Sequence, residues 1–464
     1  MYPIIALSFT GLLTLFLGLD NPKSKLILPG TVLFLLVGLA SNFADWNAPG
    51  TYFNNMIEVN NPTIIVGAVI LLSALFLVVL SAGQFEDENA HPAEYYALMQ
   101  FSVVGALIMA SFNNLLMLFL GLEILSIALY VLTGSDKRNL RGNEASLKYF
   151  LMGSFATGIL LFGVAMIYGA TGSFEIGAGA SLAHAPLPSK VFFYVGIVFT
   201  LIGLLFKISG APFHFWTADV YQGAPTIFTA FMATIVKTAV IFSLYRLLVT
   251  GFAYEYEFWV KIILVVIALS LVIGNITAVV QDNFKRILAF SSISQAGFML
   301  MALTGISERT FANLAYYSSS YVLATISALG VLIVVSRNTL KDGRPNENIE
   351  VFNGLFKRNP DLAVVLFIAM LSLSGIPLTS GFWSKFFVFT DTIGKGYLWV
   401  LILAVVMSAI SLYYYLKPVV AAFRSPEAEQ PAAEVSALQK LVLYGTALLT
   451  VILGVVPGVF RALF

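Results

Sequence analysis

An all-α polytopic membrane protein of about fourteen transmembrane helices is the fold class this sequence predicts. Three observations predict it. Of 464 residues, 59% are hydrophobic and only 11% are charged, whereas a soluble chain is about one-quarter charged. Apolar runs of about 20 residues, the length that crosses the hydrocarbon core of a bilayer, recur along the whole chain. Most of the charges sit in the short connections between those runs. The net charge of +1 speaks against a nucleic-acid surface. The chain has no cysteine, which excludes disulfides, cysteine-ligated iron–sulfur clusters and a thiol nucleophile. Its histidines, His91, His184 and His214, lie far apart and show no metal-ligand spacing. No Gly-x-Gly-x-x-Gly loop or haem-ligand pair is present.

The spans are expected at 3–19, 27–42, 61–82, 94–111, 113–133, 145–170, 190–216, 223–250, 257–280, 285–306, 311–337, 361–390, 396–422 and 438–460. The first begins Met-Tyr-Pro, without a basic leader or a small-residue cleavage site, and reads as a retained helix. Lysine and arginine divide unevenly among the connections: fifteen in the odd-numbered ones, including Lys23, Lys285 and Arg286, against five in the even-numbered ones and the tail. The positive-inside rule then places odd connections in the cytoplasm and both termini outside. The acidic third connection, 84–94, lends no support to that orientation.

Ser209-Gly210-Ala211-Pro212 and Ser374-Gly375-Ile376-Pro377 repeat one motif 165 residues apart. The same shift lays span 4 on span 9 and span 6 on span 11. The expected organisation is therefore an N-terminal group at 1–90, a five-helix repeat at 91–252, an inverted second repeat at 253–430 and a last helix at 431–464. Five crossings per unit make the second copy inverted, a transporter pattern with the ion path near interrupted helices. Pro212 and Pro377 each remove a backbone donor and free a carbonyl one turn back. In lipid, such groups must face protein or water. Spans 7 and 12 are thus expected to be broken and to line hydrated cavities, the plainer alternative being two ordinary proline kinks.

Five basic residues fall inside spans, Lys148, Lys207, Lys237, Arg246 and Lys385, against one acid away from the span ends, Glu123. A lysine at the bilayer centre costs roughly 2.5–3.5 kcal/mol, so such residues serve an ion path or a pair. Lys148 follows Glu144 by four residues, so a snorkelling surface pair explains it as well as function does. Arg246, near a span end, fits an interfacial anchor. His214, two residues past Pro212, either bridges span 7 to the cytoplasmic side or caps it. Lys207, Lys237 and Glu123 lie too deep to snorkel, and one carboxylate cannot neutralise three lysines. Burial disfavours a charged ammonium in general, which lets a lysine exchange its proton. Two unit charges about 8 Å apart at an effective dielectric of 20 interact by roughly 2 kcal/mol, so neighbours can push protons along a row. The row Glu123–Lys207–Lys237–Lys385 reads as a lateral proton relay with release near Lys385. Ser291, Ser292, Ser294 and Gln295 on span 10, and residues 316–321 on span 11, could hold connecting waters or simply join helices. Ser126 and Tyr130 share the helical face of Glu123.

These segments resemble the antiporter-like membrane subunits of respiratory complex I. The resemblance is carried by Gly121-Leu-Glu-Ile-Leu-Ser126, Glu144-Ala-Ser-Leu-Lys-Tyr-Phe150, Phe206-Lys-Ile-Ser-Gly-Ala-Pro-Phe-His-Phe-Trp216 and Asp219-Val-Tyr-Gln-Gly-Ala-Pro-Thr226. It continues through Ala233-Thr-Ile-Val-Lys-Thr238, Gly274-Asn-Ile-Thr-Ala278, Lys285-Arg-Ile-Leu-Ala-Phe-Ser-Ser-Ile-Ser-Gln295 and Leu373-Ser-Gly-Ile-Pro-Leu-Thr-Ser-Gly-Phe382 with Lys385. The Asp219 motif is most similar to the subunit N family of bacterial NADH-quinone oxidoreductase, the counterpart of mitochondrial and chloroplast subunit 2. The absence of a long lateral helix after span 14 points the same way. Ala218 departs from the proline usual in that family.

The resemblance implies fourteen helices with the seventh and twelfth broken, a Glu123–Lys207 pair, a central Lys237 and an outlet Lys385, with Lys148 a further family lysine. It implies a proton-translocating, non-redox subunit of a translocase, in a bacterial inner membrane or, alternatively, an energy-transducing organellar one. No cofactor is expected in this chain, and FMN, iron–sulfur clusters and quinone are expected in partner subunits. The implied neighbours are the M-, K- and J-type membrane subunits and the lipid bilayer. Two other readings remain at this point. One is a subunit of a multisubunit cation/proton antiporter. The other is a structural filler of the membrane arm, for which Lys237→Ala would leave pumping intact.

Overall fold

The computed structural model describes residues 1–19, 21, 24–85, 90–179, 186–337, 339–341, 344–424 and 432–461. Lys23 and His184 lie outside the described residues. Eleven helices among the described residues are long and apolar enough to cross a membrane, and three shorter apolar helices accompany them. With two further helices that flank the breaks, the chain order is α1 (Tyr2–Leu17), α2 (Ile27–Asn42), α3 (Asn61–Leu80), α4 (Pro92–Ser111), α5 (Leu115–Thr133), α6 (Leu140–Thr171) and α7 (Leu187–Lys207). They continue with the short α8 (Thr217–Gly223), α9 (Thr226–Gly251), α10 (Tyr256–Val279), α11 (Phe284–Met301) and α12 (Thr310–Ser336). The last are α13 (Pro360–Ser374), α14 (Ser380–Ile393), α15 (Leu398–Phe423) and α16 (Ala437–Val455).

The helix ends follow from local chemistry. Asn114, Asn139 and Asn283 each accept a backbone N–H of the next turn and start α5, α6 and α11. Ser436 and Gln439 form a reciprocal capping box at α16. The apolar stretch 94–133 does divide in two, because Phe112 and Asn114 are extended and pair with other backbone. Spans 7 and 12 are interrupted, with Pro212 in the segment between α7 and α8 and Pro377 between α13 and α14.

The helices form two compact units. The first contains residues 1–78, 83–216 and 235–265. In it α6 and α7 touch at backbone distance: a Cβ on Gly163 would stand 2.6 Å from the Thr200 nitrogen. In lipid there is little hydrophobic drive between helices, so such small-residue contact supplies the packing. A two-stranded hairpin, β1 (Gly50–Tyr52) and β2 (Ile57–Val59), pairs Thr51 with Glu58. It has no counterpart in the sequence-based reading. Its turn places Phe53, Asn54 and Asn55 in left-handed backbone, which asparagine tolerates well. Arg246, near the end of α9, bonds to Glu58 on this hairpin and to Asn113 Oδ1 at 3.2 Å. The anchor reading of Arg246 therefore has a specific partner.

The second unit contains residues 79–82, 217–234 and 266–464. There α12 is buried along its length and packs against α13, α14 and α16. Gln439 of α16 donates to the carbonyls of Leu80 and Ala82 at 3.1 Å each. Trp399, Ile402, Val405 and Val420 of α15 stay exposed, as lipid-facing residues should.

Candidate functional site

In the first unit, Lys207 is the last residue of α7 and is 1% exposed. A cation suits that place, since unpaired carbonyls at a helix C-terminus carry partial negative charge. Its Nζ donates to Tyr130 Oη at 3.3 Å and lies 5.0 and 4.9 Å from the ring centroids of Tyr130 and Tyr149. The two rings meet edge to face, centroids 4.8 Å apart, and form an aromatic seat for the ammonium. Tyr149 stacks on Trp216 at 4.8 Å. Trp216 Nε1 donates to the Phe206 carbonyl at 3.0 Å, so the end of the broken segment folds back onto the residue before Lys207. The same Phe206 carbonyl accepts the Ser209 backbone N–H at 3.0 Å, so both sides of the break converge on it.

Glu123 sits two turns before Tyr130 on α5, and its buried Oε1 has no hydrogen-bond partner. Lys207 thus directs its hydrogen bond to Tyr130 rather than to Glu123, while the Glu123 charge acts on both Tyr130 and Lys207. Lys237 is fully buried in α9 and directly follows a π-helical turn, Met232–Val236. Such turns are rare and gather at functional sites. His214 is buried in the broken segment, stacks on Phe215 at 4.6 Å, and leaves Nδ1 without a partner. Lys148 instead makes a 2.7 Å pair with Glu144 on the exposed face of α6.

In the second unit, Lys385 of α14 reaches back to the other break. Its Nζ donates to the Ser374 carbonyl at 2.7 Å and to Ser408 Oγ at 2.8 Å, and lies 4.9 Å from the Phe298 ring centroid. The carbonyl one turn before Pro377 belongs to Leu373, and Gln295 Nε2 donates to it at 3.0 Å. Gln295 also donates to Tyr415 Oη at 3.0 Å and accepts from Tyr317. A cavity of about 10 Å³, room for one water, lies among Gln295, Tyr317, Tyr321, Ser384 and Lys385. Tyr316, by contrast, bonds to the Leu453 carbonyl at 2.7 Å and serves helix packing.

Several residues of these sites escaped the sequence-based reading. Tyr149 and Trp216 seat Lys207, and their only signal was membership in the motifs around Lys148 and Pro212. Tyr415 had none. Lys285, read as a residue of a cytoplasmic connection, is 1% exposed in the first turn of α11. It pairs with Glu347 Oε1 at 2.6 Å and donates to the Ala224 carbonyl at 2.7 Å. The asparagine cap starts α11 one residue before Lys285, and two separate segments close over it. No group of histidine, aspartate and glutamate able to hold a metal occurs among the described residues.

The model of the transmembrane family of NADH:quinone oxidoreductase and Mrp antiporters matches residues 112–411, which contain Glu123, Lys207, Lys237 and Lys385 but not Tyr415. The chain is 40% identical over 460 residues to NADH-quinone oxidoreductase subunit N of Flavobacterium psychrophilum, covering 99% of both. It superposes with a TM-score of 0.85 and 34% identity on a chain of respiratory complex I from Thermus thermophilus with bound aureothin, covering 99% of this chain and 98% of that one. A chain of the Mrp complex from Dietzia shares the fold, with a TM-score of 0.86 at 20% identity, covering 100% of this chain and 96% of that one. The chain belongs to the membrane-subunit family of NADH:quinone oxidoreductase and Mrp antiporters, within its antiporter-like subunit N group of the complex I membrane arm.

Proposed function

We propose that this chain moves protons across a bacterial inner membrane and couples that movement to quinone reduction in partner subunits. The observation that carries the reading is the ammonium of Lys207, enclosed by Tyr130 and Tyr149 at the end of a broken helix, with Glu123 two turns before Tyr130 on α5. A charge so placed has left bulk water, and an ionisable residue within a span serves an ion path. Glu123 takes up a proton, Tyr130 links it to Lys207, Lys237 passes it on, and Lys385 releases it outside. His214 supplies the cytoplasmic end of the first break, and Lys148 stays outside the relay as the partner of Glu144. The two breaks sit at matching places in two inverted five-helix repeats, residues 91–252 and 253–430. Odd connections face the cytoplasm and both termini face outside.

Electron transfer stays in partner subunits that hold FMN, iron–sulfur clusters and quinone, and M-, K- and J-type subunits are the neighbours. The test is pumping by the assembled complex in proteoliposomes, measured with a pH-sensitive dye during quinone reduction. Glu123→Ala, Lys207→Ala and Lys237→Ala each lower both pumping and coupled turnover. If the three variants assemble and pump like wild type, the relay is wrong. Sodium-driven proton exchange without quinone reduction would favour the cation/proton antiporter reading instead.

A further inference from the structure

We infer that the second unit has its own proton inlet, the buried pair Lys285–Glu347, which feeds Lys385 without passing through Lys207. The pair lies at the end of α11 that carries Arg286, the end assigned to the cytoplasm by the proposed orientation, and the inference rests on that orientation. Lys285 is 1% exposed, yet it contacts Glu347 at 2.6 Å, and Glu347 keeps 19% of its side chain open. One partner thus meets solvent while the other lies inside, as an entry pair requires. Glu347 also accepts from Thr226 Oγ1 at 3.2 Å, and Lys285 donates to the Ala224 carbonyl at 2.7 Å. Arg286 is drawn aside by Asp219 at 2.9 Å and Gln222 at 3.0 Å, so it does not compete for Glu347.

Inward from the pair the polar groups continue. Ser292 lies seven residues beyond Lys285 on the same face of α11. Tyr221 approaches Ser292, and Tyr321 is its electrostatic neighbour. Tyr321 lines the cavity of about 10 Å³ that also touches Gln295 and Lys385. One water there, with several polar partners, closes the distance from Tyr321 to Lys385. In the transfer a proton enters on Glu347 and Lys285 gives its own inward. The Glu347 proton then restores the ammonium, leaving both groups as they began. A pair serving only to hold the fold needs neither the open carboxylate nor the hydroxyls beyond it.

Arginine separates the two roles, because a guanidinium keeps the charge and the bond to Glu347 but does not release its proton. The experiment measures protons pumped per quinone reduced by the reconstituted complex, for Lys285→Arg alone and with Lys207→Ala. Lys207→Ala alone is expected to retain part of the pumping through the second inlet. Adding Lys285→Arg is expected to lower the remainder by about tenfold or more, as loss of a positioned proton carrier does. Equal pumping by Lys207→Ala with and without Lys285→Arg overturns the inlet. Complete loss in Lys207→Ala alone also overturns it, and leaves the first relay standing. Wild-type pumping by all of these variants refutes the relay itself. Should Lys285→Arg fail to assemble, Tyr321→Phe in the Lys207→Ala background takes its place: a comparable fall supports the path, and unchanged pumping refutes it.

Discussion

Gly375 offers a quantitative test of how the second break holds Lys385. Its φ is +86°, and a Cβ there would stand 2.8 Å from Lys385 Cδ and 3.2 Å from its Nζ. Gly375→Ala therefore meets two costs of different origin. The left-handed backbone alone costs an L-residue about 1–2 kcal/mol. The new methyl also pushes the lysine stem, whose Nζ is fixed by the Ser374 carbonyl at 2.7 Å and Ser408 at 2.8 Å. Losing one bond from a charged donor costs about 1.5–3 kcal/mol. Together the substitution should cost about 2.5–5 kcal/mol, and pumping should fall to the level of Lys385→Ala. In a Lys385→Ala background the stem is gone, and the same change should cost only the backbone share, about 1–2 kcal/mol. The difference between backgrounds is a coupling of about 1.5–3 kcal/mol, as a double-mutant cycle defines it. The measurement is the midpoint of thermal inactivation of the purified complex for the four members of the cycle, with pumping in parallel. Equal costs in both backgrounds would show that the glycine serves the backbone alone and that Lys385 is not held at the break.

Three further outcomes follow from the same contacts. Tyr130→Phe removes the hydroxyl that accepts from Lys207 but keeps the ring beneath the ammonium, so pumping should fall about tenfold while assembly is preserved; unchanged pumping would place the proton path elsewhere. Lys148→Ala breaks an exposed pair with Glu144 and should cost under about 0.5 kcal/mol with pumping unaltered, which a large pumping defect would contradict. Gln295→Leu strips the Leu373 carbonyl and the Tyr317 hydroxyl of their shared partner, while Tyr415 keeps Ser291, and each of the two buried orphans costs about 1–3 kcal/mol; a variant as thermostable as wild type would show that water replaces the amide.

The helices were legible because lipid imposes a single requirement, long apolar runs, and each expected span contains helix among the described residues. The breaks were legible because Pro212 and Pro377 each stand two residues after a glycine inside an apolar run, a pattern a continuous helix does not favour. What surrounds the buried lysines was less so. Tyr149 stands in the sequence only as a member of the motif around Lys148, and the packing of α5 against α6 brings it to Lys207. The partner of Arg246 is 188 residues away, on a hairpin too short to leave a periodic signal. Lys285 looked like a loop cation because charge counting sees position along the chain and not what folds over it. Glu347, 62 residues further on, covers it.

The two breaks answer one physical demand in opposite ways. An interrupted helix in lipid leaves carbonyls that need donors. At the first break the lysine precedes the interruption, the indole of Trp216 joins the Ser209 N–H on the Phe206 carbonyl, and the ammonium is held by the Tyr130 hydroxyl and two aromatic faces. At the second the lysine follows the interruption, and its own ammonium takes the carbonyl of Ser374. The position that lies 165 residues beyond Lys207 is Ser372, whose hydroxyl accepts from the Gly381 backbone N–H at 3.2 Å and carries no charge. The repeated motif therefore supplies a shared backbone interruption, and the side chains placed around it decide how a cation is held there. An ammonium held by one long bond to a phenol and by two rings has weaker, less directional partners than one bound to a carbonyl and a hydroxyl at 2.7 and 2.8 Å. Lys207 accordingly changes its proton without touching a backbone contact, whereas deprotonation of Lys385 removes the charge assistance from both of its bonds and weakens its hold on the segment from Gly375 to Thr379. Proton release at Lys385 and movement of that segment should therefore occur as one event, a link that the proposed relay needs if its last step is to run only outward.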